Sequence, residues 1–194
     1  MIETFKKIIN KFVEMDEPIL MEMYSLCTLV EVENKKNFIQ EGEFADKLGF
    51  LLEGHLRGYI VNKNGDERTT NFYFAPTILG DYVSHSENKA SEMNIQALAK
   101  SVLLQCKISD LLRLAEQHLQ VALFLAKLLG HLYCFQVGRR NSFILKTNEE
   151  RYIDLAKERP KVIEMIAQHY IASYLGIKPQ SLSRIRKRLT RKKG

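Results

Sequence analysis

The chain has 194 residues and 45% apolar content, room for one large domain or two small ones. Its net charge is +6, yet residues 165–194 hold eight Lys or Arg and no Asp or Glu, so the remainder sums to −2 and the basicity is local. The three cysteines, Cys27, Cys106 and Cys134, are far apart and odd in number, which argues against a disulfide framework or a metal or iron–sulfur site and fits a reducing cytosol.

The N-terminal stretch MIETFKKIINKFVEMDE is amphipathic and carries charges throughout, unlike the uninterrupted apolar core of a signal peptide. Residues 3–27 predict one or two short helices, broken near 16–18. From 28 to 108 the pattern changes. Six of the ten glycines lie between Gly42 and Gly80, and short apolar runs such as Phe50-Leu51-Leu52 and Phe72-Tyr73-Phe74 alternate with turn signals. Asn64-Gly65 joins two of these runs as a hairpin turn. Many short strands with regular turns predict a β-sandwich or barrel.

Ser109-Asp110 is placed to cap a short helix. A long helix is then expected over about 118–146. Leu114, His118, Val121, Leu125, Leu128, Leu132 and Phe135 form a heptad-like seam, and Leu119, Ala122, Leu123, Ala126, Leu129 and Tyr133 form a second apolar face. Two apolar faces need two partners: the β-domain and the same helix of a second subunit are expected, the alternative being a helix buried wholly within one subunit. The run is apolar enough to raise a membrane span, but Gln120, Lys127, His131 and Gln136 interrupt it, so a buried helix of a soluble protein is expected. His118 and His131 read as packed or surface residues. Thr147-Asn148-Glu149-Glu150 reads as a capping box opening a helix to about Lys157, and Arg159-Pro160 ends it. The expected domains are 1–146 and 147–194.

The stretch QHYIASYLGIKPQSLSRIRKRL follows. Ala172 is small enough for two helices to cross closely, and Gly176 suits a left-handed helix end. Pro179 fits the first turn of a second helix. Leu182, Ile185 and Leu189 make a buried stripe. Lys178, Gln180, Ser181, Arg184, Lys187, Arg188, Arg191 and Lys192 are left as the candidate contacts to base edges and phosphates. A solvated helix with a basic tail would carry the same charge, but it would not need the Ala–Gly–Leu–Ile framework. The expected partner is therefore DNA, read by a helix-turn-helix.

With this order on the page, the chain resembles the Crp/Fnr family of bacterial transcription regulators over nearly its whole length. Gly42, Gly54 and Gly80 match three turn glycines of that family's cyclic-nucleotide-binding jelly roll, Gln40-Glu41-Gly42-Glu43 matches the start of its second strand region, and residues 171–189 match its helix-turn-helix. The resemblance implies an α+β chain: an N-terminal jelly roll, a long dimerisation helix and an all-α helix-turn-helix domain. It also implies that Gln180, Ser181 and Arg184 occupy base-reading positions. The chain stops soon after Leu189, so the family's two-stranded wing is expected to be missing, with the basic tail in its place.

The family's nucleotide-binding members open a phosphate-binding cassette with Gly-Glu and close it with Arg followed by Ser or Thr. Here Gly80-Asp81 stands for Gly-Glu, and the second position falls near 91–94, at Met93-Asn94. No arginine occurs between Arg68 and Arg113, and Lys89, the nearby cation, offers no bidentate fork. The candidate pocket is therefore Gly80, Asp81, Tyr82, Met93 and Asn94, with His85 nearby, for an unidentified effector other than cyclic AMP. An enzymatic triplet of Asp81, Ser84 and His85 has no supporting motif. The expected reading is a cytoplasmic homodimeric transcription regulator that is not an enzyme and uses no cofactor or metal and no membrane. The alternative is a small-ligand-binding module without sequence-specific DNA binding.

Overall fold

The computed structural model describes residues 1–191. Contacts divide the chain into two compact units: Met1–Ile60 with Phe72–Tyr133, and Val61–Asn71 with the residues from Cys134 onward. This division differs from the expected boundary at 146/147, because residues 134–146 and 61–71 carry their contacts in the second unit.

In the first unit, α1 (Ile2–Asn10) and α2 (Glu17–Ser25) precede the strands. The strands are β1 (Thr28–Val32), β2 (Asn37–Ile39), β3 (Leu48–Glu53), β4 (His55–Val61), β5 (Glu67–Phe74), β6 (Thr77–Gly80), β7 (Asn94–Ala97) and β8 (Ser101–Cys106), with the short helix α3 (Tyr82–Ser86) between β6 and β7. Among the described residues they form two four-stranded sheets, in the orders β1-β8-β3-β6 and β2-β7-β4-β5. The β1–β8, β3–β8, β3–β6, β2–β7 and β4–β7 pairs are antiparallel. β4 and β5 are joined through the 62–66 loop.

In the middle of the first sheet β3 and β8 are buried on both faces, which explains why they read as apolar runs rather than as an alternation, while β1 at the edge is largely exposed. Leu51, Leu79 and Leu103 point inward with Phe38, Ile39, Leu56, Ile95 and Ala97 of the second sheet. Leu48, Phe50, Leu52, Ile78, Leu104 and Cys106 point outward and pack on the helices. Those helices are α1, α2, α4 (Ile108–Gln117) and the start of α5 (Leu119–Leu145). Phe50 is fully buried, 4.7 Å from the Phe5 ring and 6.4 Å from that of Phe124.

Four expectations change at this level. First, α4 has Lys107 as its N-cap, without a side-chain hydrogen bond. Ser109 instead donates from its N–H and its hydroxyl to the two oxygens of Asp46, at 3.0 and 2.6 Å. Second, the Asn64-Gly65 turn sits in a longer loop, in which Asn62 Oδ1 accepts from the N–H groups of Asn64 and Asp66, both at 2.9 Å. Third, the buried face of α5 is Val121, Phe124 and Leu128. Phe124 belongs to neither expected stripe, and Leu128 lies in the chain's own core rather than in a free seam. Fourth, α5 is not a buried helix in the single chain: it is long and apolar enough to cross a membrane by length and composition, and only 17% of its apolar window is buried. Leu119, Leu123 and Tyr133 of the second apolar face are exposed.

In the second unit, the end of α5 is followed by α6 (Asn148–Glu158), α7 (Pro160–Met165), α8 (Gln168–Leu175) and α9 (Pro179–Arg191). The Thr147–Glu150 capping box forms in full: Thr147 Oγ1 accepts from the Glu150 N–H, and the Glu150 carboxylate accepts from the Thr147 N–H at 2.8 Å. These bonds hold the Glu150 carboxyl below its usual range. Pro160 both ends the run of α6 and supplies the first turn of α7.

Two glycines separate strain from crowding. Gly54 and Gly65 both have positive φ, +89° and +83°, but a Cβ at Gly54 would lie 2.7 Å from the Lys100 carbonyl oxygen and 2.8 Å from Ser101 Cα, whereas at Gly65 it would meet nothing. Gly65→Ala is expected to cost about 1 kcal/mol from left-handed strain alone. Gly54→Ala is expected to cost roughly 3 kcal/mol or more, because backbone cannot move aside as a side chain can. Comparison of thermal unfolding midpoints measures the difference, and equal shifts would refute it.

Candidate nucleic-acid interface and ligand pockets

The end of α8 is fixed by a complete accounting of its last four carbonyls. Gly176 is left-handed, φ +70° and ψ +30°. This lets the Ile177 N–H reach Ala172 O at 3.0 Å and the Gly176 N–H reach Ser173 O at 3.1 Å, a Schellman turn. The remaining two carbonyls face guanidiniums: Arg139 Nη2 donates to Tyr174 O at 3.1 Å, and Arg151 Nη2 to Leu175 O at 3.2 Å. Cations at a helix C-terminus also meet the negative end of its dipole.

Two residues beyond the turn, Pro179 begins α9. Leu182 and Ile185 are buried, as is Ala172 on α8. Lys178, Gln180, Arg184 and Lys187 are exposed, and Ser181 is half-buried. Arg188 is exposed and forms an ion pair with Glu149 at the start of α6. Ser181, Arg184 and Arg188 share a surface cleft with Thr147, Asn148 and Glu149. Arg191 is the last residue of α9, and Lys192 lies outside the described residues.

The five expected pocket residues are not brought together around one cavity. Asp81 is buried, and its carboxylate is spent locally. Oδ1 accepts from the N–H groups of Val83 and Ser84, capping α3, and Oδ2 accepts from the Ser91 hydroxyl at 2.6 Å. Asn94 Oδ1 accepts from the Glu41 N–H at 3.1 Å and from Asn37 Nδ2 at 3.2 Å, pinning the chain around β2. Met93 packs on the core between the sheets. Gly80 and Tyr82 instead line an apolar cavity of about 70 Å³ with Leu111, Leu125, Leu129 and Leu132. Lys89 is half-buried and paired with Glu87 and Glu92 at 2.8 and 3.1 Å.

Asp81, Ser84 and His85 are each engaged elsewhere. Ser84 Oγ accepts from the Ala45 N–H and donates to Lys89 O, at 3.0 and 2.6 Å. His85 Nδ1 lies 3.0 Å from Asp46 Oδ1. Burial alone would raise the Asp46 carboxyl, but the bonds from Ser109 and the nearby His85 outweigh it and hold it below the usual carboxylate range. No nucleophile–base pair is assembled.

Sequence reasoning did not single out the arginines that matter most to the packing. Arg57 is the largest of the fully buried side chains, with Nε and Nη2 donating to Gln96 Oε1 at 3.1 and 2.9 Å and its guanidinium 4.1 Å from the Tyr59 ring centroid. In the second unit, Arg139, Arg151 and Arg159 line one cavity of about 320 Å³. Only their spacing relative to elements far along the chain would have revealed them.

With this geometry in hand, comparison with known proteins is informative. Residues 29–118 match the family described as the cyclic nucleotide-binding domain. No curated protein matches the sequence. Among solved structures, the catabolite activator protein of Thermus thermophilus is 19% identical, with a TM-score of 0.59 over 93% of this chain and 86% of that one. A CooA variant from Carboxydothermus hydrogenoformans is 15% identical, with a TM-score of 0.70 over 88% of this chain and 79% of that one. FixK2 from Bradyrhizobium japonicum is 19% identical, with a TM-score of 0.69 over 86% of this chain and 85% of that one. Identities this low establish the fold alone: a β jelly roll similar to the cyclic nucleotide-binding domain, followed by a long helix, with structural neighbours among the regulators of the Crp/Fnr type.

Proposed function

We propose that the chain is a cytoplasmic DNA-binding transcription regulator that acts as a homodimer and carries out no chemistry. The observation that carries this reading is the partition of α9. Its buried stripe, Leu182 and Ile185, is anchored against α8, while Gln180, Arg184 and Lys187 stand exposed in a segment without a single acidic residue. Such a face meets phosphates electrostatically and offers an arginine and a glutamine to base edges. In this reading α8, the Gly176 turn and α9 form a helix-turn-helix, Ser181 and Arg188 flank the reading face, and Arg191 and Lys192 add phosphate contacts. The Glu149 carboxylate holds Arg188 in place while competing with phosphate for it.

The exposed apolar face of α5 supports the dimer. Leu119, Leu123, Ala126 and Tyr133 are exposed at helical spacing, and a second copy of the same stripe would cover them. This also accounts for an apolar helix without invoking a membrane.

An effector other than cyclic AMP is part of the reading. The space between the sheets is filled by Phe38, Leu51, Leu79, Ile95 and Leu103. Asp81 is occupied as a cap, and Met93 and Asn94 supply no cation. The alternative, a ligand-binding module that does not read DNA, is favoured by the match of residues 29–118 alone.

Arg184→Ala is expected to cost about 1–3 kcal/mol on the best duplex and to relax the preference at one position per half-site. Lys187→Ala should weaken all duplexes alike and flatten the salt dependence. Selection of bound genomic fragments followed by titration of both variants tests this. Equal losses on specific and random DNA would remove Arg184 from the reading face.

Ala126→Glu adds a charge to the exposed stripe without touching the core, so it should yield a folded monomer by sedimentation and circular dichroism. A wild-type protein that is already monomeric at micromolar concentration would defeat the dimer reading.

Titration calorimetry with cyclic AMP should give no saturable heat in the micromolar range. A buried cyclic phosphate needs a cation or several N–H donors to receive it, and micromolar binding would mean that the missing arginine is dispensable.

A further inference from the structure

The cavity of the second unit lies between the end of α5, α6 and the end of α8. Arg139, Ser142, Phe143 and Lys146 project into it from one face of α5, at spacings of three and four residues. Arg151, Asp154, Glu158 and Arg159 line it from the α6 side. Lys146 and Asp154 neutralise each other across 2.6 Å. Of the three guanidiniums at the cavity, Arg159 donates to Asn71 Oδ1 at 3.1 Å, and Arg139 and Arg151 are the two that share the Phe143 ring.

Arg139 is the telling member. It is half-buried, and desolvation, with the nearby Arg159 charge, lowers its pKa against the pull of Tyr174. Its hydrogen-bond acceptors are the carbonyls of Thr69 and Tyr174, at 3.2 and 3.1 Å, and rings cover its guanidinium, Tyr174 at 4.0 Å and Phe143 at 5.4 Å. No carboxylate pairs with it among the described residues. Arg151 stacks on the same Phe143 ring at 4.5 Å. Holding up the carbonyls of α8 explains part of each arginine but not all of it: Arg139 Nη1 and Arg151 Nε are both buried donors without an acceptor. Two half-buried cations that share a ring and a cavity, each with an orphan N–H, form an arrangement that an anion would complete.

We infer that this cavity is a binding site for a small organic oxyanion, a carboxylate or a phosphate monoester with a compact apolar body. The charged group would sit against the guanidiniums of Arg139 and Arg151, and Phe143, Leu155 and Leu175 would pack on the body. At about 320 Å³ the cavity falls at the small end of ligand sites, which span roughly 300–1,000 Å³. The inference does not depend on whether α9 reads DNA.

The test is titration calorimetry of the full chain at low salt with phenyl phosphate, benzoate and neutral benzamide. At least one oxyanion should bind with a dissociation constant below about 1 mM, benzamide should not, and the tighter of the two names the ligand's charged group. Ser142→Glu tethers a carboxylate inside the cavity. It should weaken the oxyanion at least tenfold and raise the thermal midpoint, because it supplies the missing counter-charge. Arg139→Lys keeps the charge but loses the fork, and should also weaken binding. The absence of saturable heat from both oxyanions, or binding untouched by both variants, would overturn the inference. So would displacement of the probe by duplex DNA, which would assign the cavity to a nucleic-acid backbone instead.

Discussion

Phe50 stands between Phe5 and Phe124, and the arrangement of the first unit depends on that contact. A sheet whose strands are apolar on both faces cannot leave one face in water. Here the inner face is satisfied by the second sheet, so the outer face must be met by helices. Phe5 arrives from α1 and Phe124 from α5, segments more than a hundred residues apart in sequence. Once Phe124 is committed to the sheet, Val121 and Leu128, one turn to either side, follow it into the core. The orientation of α5 about its axis is then fixed, and so is the stripe it leaves uncovered.

This commitment explains what was and was not legible in the sequence. Local devices read well because their partners are a few residues away. The Thr147–Glu150 capping box, the Gly176 turn, Pro179 at the start of α9 and the strand-rich character of 28–108 all depend on neighbours within one turn or one hairpin. The face of α5 did not read well. Its two apolar stripes are nearly equivalent by periodicity, and only the position of Phe50 decides which residues turn inward. Ser109 and Asp81 failed for a related reason. Ser109 has the chemistry of a cap, but a carboxylate 63 residues earlier, on Asp46, claims both of its donors. Asp81 resembles a ligand-binding carboxylate by position, yet the N-terminus of α3 beside it claims it first.

The basic residues sort in the same way. Those of α9 are contiguous in sequence, so their charge is visible from composition. Arg139, Arg151 and Arg159 are scattered through a stretch that also holds Glu149, Glu150, Asp154 and Glu158, and over residues 139–159 six basic residues against four acidic ones leave a net charge of only +2. Folding separates the signs. The Glu150 carboxylate turns to the capping box, Asp154 to Lys146 and Glu149 to Arg188, and Arg139 is left with backbone carbonyls and rings for partners.

Carbonyl partners are the reason this cavity bears on α9. A peptide carbonyl carries only a partial charge, so it compensates a desolvated guanidinium less completely than an oxyanion does. Arg139 and Arg151 nevertheless hold Tyr174 O and Leu175 O, the last two residues before the left-handed turn that launches α9. An anion seated in the cavity beside both arginines would add its charge to these contacts rather than replace the Nη2 bonds. It would remove the repulsion between Arg139 and Arg159 and fix both guanidiniums against Phe143. That same ring lies 3.0 Å from where a Cβ on Gly176 would stand. The ring therefore packs directly against the turn on one side and against both arginines on the other. Through that shared ring, the charge state of the cavity and the geometry of the turn are parts of one packed cluster.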